Sequence, residues 1–381
     1  MVKYWLRGVG VALVMGLLSA CSNGPSLPKP TKLVDITASQ AITEHWQVQL
    51  GGGAKQHALP LQPVLMSGVV YGVSASGEVS AVDAETGKSL WQVDLEQPIS
   101  AGLGRIQDKL LVATANGELH MLLAADGSKV WSTPTSSEVL AVPQSSTGMV
   151  LVQTIDGRIT AFAADDAAVL WSYASDLPSL TLRGTSTPVV DGGLSYAGFA
   201  NGKLLAIDNK HGTVIWQQRI SAPKGRSDME RLVDIDGPLQ LVDGTLYVAG
   251  YQGNLAAVEA LTGRVLWQQT VSSYSAPAIY GGQVFVVTDK DTVMAYDRET
   301  GAELWRNDDF LHRGLSQVVV STGAMVVLDS LGYVHLLEPA TGMAVGRYQL
   351  GHDGAGAGFV RHGANIYVLG QDASLSRLSL N

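Results

Sequence analysis

The chain has 381 residues, 46% hydrophobic and 15% charged, which is enough apolar content to bury a large core. Its net charge of −9 argues against nucleic acid or anionic lipid headgroups as the main partner. A single cysteine excludes an internal disulfide, and 43 glycines against 5 phenylalanines predict many short strands joined by tight turns.

Residues 1–20 read as an export leader. Lys3 and Arg7 make a positive start, and Val9 to Leu18 is an apolar run too short to cross a bilayer comfortably. The run ends in Leu18-Ser19-Ala20-Cys21, which resembles the lipobox of bacterial lipoproteins. That resemblance implies cleavage before Cys21, with lipid on its thiol and amino group. Several acyl chains anchor far better than one, since each buried CH₂ contributes about 0.8 kcal/mol. The other reading is an ordinary signal peptide with an incidental cysteine. In such lipoproteins an aspartate after the cysteine favours retention in the inner membrane. Ser22 stands there, so the resemblance implies the periplasmic face of the outer membrane. Pro25, Pro28 and Pro30 predict a non-helical tether within residues 21–41. Loss of Lys3 and Arg7 with the leader leaves 23 basic against 34 acidic residues, a net charge of −11.

The rest of the chain repeats. Trp46, Trp91, Trp131, Trp171, Trp216, Trp267 and Trp305 are spaced by 45, 40, 40, 45, 51 and 38 residues, the period of propeller blades. Gly77 to Trp91 reads GEVSAVDAETGKSLW, Gly202 to Trp216 reads GKLLAIDNKHGTVIW, and Gly253 to Trp267 reads GNLAAVEALTGRVLW. Each copy predicts a hairpin. Apolar residues such as Val79 and Ala81 alternate along a half-buried strand, and an acid such as Asp83 or Asp297 ends it. A turn glycine such as Gly87, Gly127, Gly212, Gly263, Gly301 or Gly342 follows, with Ala167 as the exception. A second strand then carries the tryptophan. Another strand precedes each hairpin, as at Val69 to Val73, and a short apolar piece near Pro63, Pro143, Pro188 or Pro277 precedes that. Four strands per repeat is the content of a propeller blade.

Strand starts equivalent to Gly77 number eight if a degenerate copy at Ala373 is included, and tryptophan slots also number eight, with Gly346 standing in the last. The expected fold is all-β: residues 42–381 form a single eight-bladed propeller of four-stranded antiparallel blades. Residues 43–50 complete the final blade beside residues 373–380, so that the ring has no free end. Seven blades is the alternative if the degenerate copy fails. One tryptophan per blade at a fixed position predicts inter-blade packing rather than ligand binding.

The pattern A-x-D-x-x-T-G-x-x-x-W resembles the tryptophan-docking repeat of quinoprotein-type propellers. Asp176 to Gly184 (DLPSLTLRG), Glu230 to Asp236 (ERLVDID), Leu311-His312-Arg313 and the lipobox together resemble the BamB family, the propeller lipoproteins of the outer-membrane β-barrel assembly machinery. The likeness covers essentially the whole mature chain. It implies a non-catalytic scaffold without a cofactor, held at the membrane by lipid. Its expected partner is the BamA-like barrel-inserting protein, bound through that protein's periplasmic repeats. Other lipoproteins of the complex are expected as indirect partners, and unfolded barrel precursors as clients at an exposed outer strand. The alternative is a quinone-dependent dehydrogenase. Such enzymes generally carry calcium ligands, long insertions and often a vicinal disulfide, and none of these is recognisable here.

Other motifs read as structural. The eight histidines form no H-E-x-x-H or close pair, which argues against zinc. Gly193-Leu194-Ser195-Tyr196-Ala197 approaches a nucleophile elbow but falls on a strand with no helix after it. Gly354-Ala355-Gly356-Ala357-Gly358 lacks the Lys-Ser/Thr ending of a phosphate loop. The stretched repeats are more informative. Surplus residues fall in 175–187 and 222–238, on neighbouring blades, and loops on a rigid scaffold carry function. Leu180, Leu182 and Arg183 on one loop, with Arg231, Asp234 and Asp236 on the other, combine apolar and oppositely charged groups as a protein-binding patch does. In the resembled family these motifs dock the barrel-inserting subunit.

Overall fold

The computed structural model describes residues 28–53, 59–351 and 358–381. The leader, Cys21, Pro25, His57 and most of the Gly354 stretch lie outside the described residues. Among the described residues there are 32 strands and no helix, arranged as eight four-stranded antiparallel sheets in a ring. The eight-bladed expectation is borne out.

One blade shows why. β2 (Val64–Met66), β3 (Val69–Val73), β4 (Glu78–Asp83) and β5 (Ser89–Asp94) pair in chain order from the axis outwards. β2 has three residues, as do the innermost strands of five other blades, because the sheets converge at the axis. β3 and β4 lie between neighbouring blades and are buried on both faces: Val70, Val73, Val79 and Ala81 have no exposure, and Ser80 has 3%. The half-buried alternation expected for β4 belongs instead to β5, the rim strand. A strand packed by sheets on both sides has no solvent face, so its pattern is continuous.

The tryptophans stand on the rim strands. In each of the eight blades the pairing of the third and fourth strands is shifted by one residue just before the tryptophan slot, as at Ala81/Val82 opposite Trp91 and Ser89. A bulge bends a strand and re-aims its side chains. The extra residue points outwards: Leu90, Leu170, Ile215 and Leu304 are each about half exposed. Each of the seven indole N–H groups among the described residues donates to a carbonyl of the next blade, from Trp46 to Ala84 (3.2 Å) through Trp305 to Pro339 (2.9 Å). The turn glycine of that next blade makes room for the ring. At Gly301, with φ of 71°, a β-carbon would stand 2.6 Å from the Trp267 ring.

Ala167 is the exception, and it keeps the glycine geometry, with φ of 61° and its amide donating to Ala163 O at 3.0 Å. A left-handed conformation costs an alanine roughly 1–2 kcal/mol, part of which glycine gives back through greater freedom in the unfolded chain. Ala167→Gly is therefore expected to raise stability by about 0.5–1 kcal/mol, and Ala167→Val to lower it. The urea midpoints of the two variants check this; a destabilised glycine variant contradicts it.

The ring closes as expected. β1 (Ile42–Gln49) pairs antiparallel with β32 (Ser374–Leu380), completing the blade of β30 (Gly358–His362) and β31 (Asn365–Leu369). Closure also accounts for the missing tryptophan. The next blade has no turn facing Gly346, because its rim strand comes from the N-terminus. A β-carbon at Gly346 would stand 2.7 Å from Gln40 O, and the amides of Ser39 and Gln40 both donate to Val345 O. The chain's own backbone fills the slot. The segment before β1 is pinned further along, by Thr31 to Leu311 O and by Arg347 to Val34 O.

Candidate functional site

The connections from each rim strand to the next inner strand share one face of the disc with the turns between second and third strands. Both stretched loops are such connections. Residues 175–188 link β13 (Val169–Ala174) to β14 (Val189–Asp191), and residues 220–239 link β17 (Val214–Arg219) to β18 (Gln240–Val242).

The two loops form one unit. The Leu182 amide donates to Asp234 Oδ2 at 3.3 Å, Ser186 Oγ to Gly237 O at 3.2 Å, and the Leu239 amide to Thr187 O at 3.5 Å. Asp234 is bridged on its other side to Tyr251, whose amide donates to Asp234 O at 2.7 Å. Ile235 is fully buried against Gly198, where a β-carbon would meet its methyl at 2.3 Å. The outer part of the second loop has its own clasp. Glu230 Oε2 accepts from the amides of Arg226 (2.7 Å) and Ser227 (3.2 Å), and Ser227 Oγ accepts from the Glu230 amide (3.2 Å). The Arg226 amide bond, above all, holds the Glu230 carboxyl below its ordinary range.

This arrangement separates the six residues singled out in the sequence. Leu180 (37% exposed), Arg183 and Arg231 face solvent. Leu182 and Asp236 are half-buried, and Asp234 is only 1% exposed. A charge offered to a partner was expected at Asp234; the structure instead folds that carboxyl under the loops, because it caps the Leu182 amide. Burial, and then the charge of Asp236, push the Asp234 carboxyl well above the ordinary carboxylate range. Burial also raises Asp236, with the Asp234 hydrogen bond acting the other way. The two buried carboxyls, side by side, keep a proton between them to a higher pH than free carboxylates do. Because the folded chain binds that proton more tightly than the unfolded one, its contribution is full below about pH 4 and erodes as the pH rises.

Arg183 is held in place by Glu138 of the preceding blade, with Nη2 to Oε1 at 2.7 Å. Its side chain remains half exposed, so the pair is worth about 0–1 kcal/mol and a competing carboxylate can replace Glu138 cheaply. Three further exposed side chains were not singled out in the sequence. Leu177 and Met229 lie on the same two loops, and Tyr274 stacks on Tyr251 with ring centroids 5.1 Å apart. Tyr274, Arg183 and Asp236 all border the cavity at the axis, which has a volume of about 490 Å³. Among the described residues, no group of three or more His, Cys, Asp or Glu is placed to hold a metal ion. Ser195 of the elbow-like motif lies within β15 (Leu194–Gly198), fully buried, and bonds Asn209.

The family model described as outer membrane protein assembly factor BamB matches residues 75–307. A protein of that name from Pseudomonas aeruginosa is 47% identical over 371 residues, spanning 97% of this chain and 98% of its own length. One from Escherichia coli is 33% identical, covering 90% and 91%. The crystal structure of BamB from Moraxella catarrhalis superposes with a TM-score of 0.81 at 27% identity, over 89% of this chain and all of that one. A quinohemoprotein alcohol dehydrogenase from Comamonas testosteroni superposes at 0.72 over 89% of this chain and 76% of that one, but at 13% identity it shares the fold alone. With a family match over more than half its length and relatives above 30% identity along nearly all of it, this chain belongs to the BamB family of outer membrane protein assembly factors.

Proposed function

We propose that this chain is a non-catalytic scaffold subunit of the outer-membrane β-barrel assembly complex. Lipid on Cys21 holds it at the periplasmic face of the outer membrane. The joined loops 175–187 and 222–238 dock the periplasmic repeats of the barrel-inserting subunit. The observation that carries this reading is the division of labour within the loop pair. Asp234, with Ser186 and Leu239, binds the loops to each other, leaving Leu180, Arg183 and Arg231 outwards on a preorganised surface. Arginine is enriched in interface hot spots, and a rigid surface pays little ordering entropy on binding.

The test is co-purification from native membranes. Leu180→Glu combined with Arg183→Glu is expected to reduce recovery of the barrel-inserting subunit more than tenfold, with an unchanged melting temperature. Asp234→Asn keeps the shape and the acceptor oxygen for the Leu182 amide and is expected to retain the partner. Full recovery with the double variant overturns the assignment. Cys21→Ser is expected to move the protein from the membrane to the soluble fraction.

A further inference from the structure

The loop pair covers a small polar cavity. Six buried side-chain polar atoms have no hydrogen-bond partner among the described residues, and three of them, Gln153 Oε1, Thr185 Oγ1 and Asp236 Oδ1, belong to residues lining one small cavity. Asp234 and Gly198 also line it, and its volume is about 10 Å³, near the minimum needed for one water. The cavity lies where three blades meet: Gln153 is on β11 (Met149–Thr154), Thr185 on the first long loop and Asp236 on the second.

The polarity of these atoms is specific. Gln153 is 2% exposed, and its Nε2 donates to Gly198 O at 2.8 Å, which leaves Oε1 as an acceptor. Asp236 Oδ1, a carboxyl oxygen with no partner among the described residues, is a second acceptor. The Thr185 hydroxyl can donate. Two acceptors and one donor complement a single water, which gives two hydrogens and receives one. An orphaned buried polar group costs free energy, and buried waters typically make about three hydrogen bonds to such groups. A hard cation suits the same oxygens less well, because it takes six or more ligands and the cavity offers no room for its own waters.

We infer that this cavity holds one ordered water, hydrogen-bonded to Gln153, Thr185 and Asp236, which staples both long loops to the third blade. The water is thus a structural ligand of the surface proposed above as the docking site. It is tested apart from that reading, because no readout below involves the partner.

Thr185→Val removes one of the three partners with little change of shape, and Thr185→Ser keeps the hydroxyl. In native-state hydrogen exchange, the amides of Leu182 and Leu239 are expected to exchange roughly five- to tenfold faster in the valine variant and at the wild-type rate in the serine variant. Calcium or EDTA is expected to change neither rate. A crystal structure of the wild-type protein is expected to show one density peak at hydrogen-bond distance from all three atoms. A dry cavity, or unchanged exchange in the valine variant, overturns the proposal. So does slowing of exchange by calcium, which would assign the site to a cation.

Discussion

Replacing Asp329 with alanine is expected to cost about 3–5 kcal/mol, because it strands a buried arginine. Asp329 is fully buried and Arg313 is 4% exposed, with Nη2 to Oδ2 at 2.6 Å. His335, also fully buried, bonds the same oxygen at 3.0 Å, and the amides of Leu331 and Tyr333 both reach Oδ1 at 3.0 Å. Burial alone would raise the Asp329 carboxyl, but the bonds from His335, the Tyr333 amide and Arg313 outweigh it and hold the group below its ordinary range. Burial lowers His335, keeping it neutral, so its other nitrogen accepts from Arg347 at 3.3 Å. Both groups bind protons less readily folded than unfolded, so their contribution is present at neutral pH. It falls as the pH drops, first below about 6.5 through His335 and then through the carboxylate. Arg313 also donates to Thr31 O at 2.8 Å, so the variant is expected to loosen the segment before β1 as well. Urea unfolding measures the loss. A cost under about 1 kcal/mol contradicts the assignment, whereas replacing Arg313 and Asp329 together by methionine and leucine is expected to be milder than either single loss.

Trp267→Ala is the second large effect, at about 3–5 kcal/mol. Trp267 is 8% exposed, donates to Arg298 O at 2.8 Å and packs against Tyr247, which is 2% exposed. Its loss opens a cavity over Gly301, whose backbone is set in the left-handed turn and cannot collapse into the space. Trp267→Phe retains most of the apolar contact and loses chiefly the hydrogen bond, for about 1 kcal/mol. Trp46→Ala is expected to cost less, because Trp46 is only half-buried. Equal losses at Trp46 and Trp267 would show that the ring, rather than local burial, sets the cost.

Much of the architecture is legible in the sequence because the repeat carries it. A tryptophan, a turn glycine and an acid at fixed spacing define a hairpin, and their recurrence defines the ring. Even the defect at Gly346 has a local cause, the backbone of Gln40 in the slot. The loop motifs were legible as surplus length. Their internal roles were not, because burial in a loop depends on which neighbouring blade it meets. Asp234 and Arg183 stand on corresponding acidic and basic motifs, yet one is sealed under the loops and the other is half exposed. Tyr274 had a signal of a kind, an aromatic residue in a connection between blades. Gln153 and Thr185 had none, since their shared cavity is made by three segments distant in sequence.

The outward side of the loop pair is expected to touch the barrel-inserting subunit. Photo-crosslinking in intact cells tests it most directly. A photoreactive residue at Leu180 or Arg231 is expected to give a crosslink to that subunit, and one at Leu304, an exposed rim position on another blade, to give none. Crosslinks from Leu304 alone, with neither loop position reacting, would contradict the account.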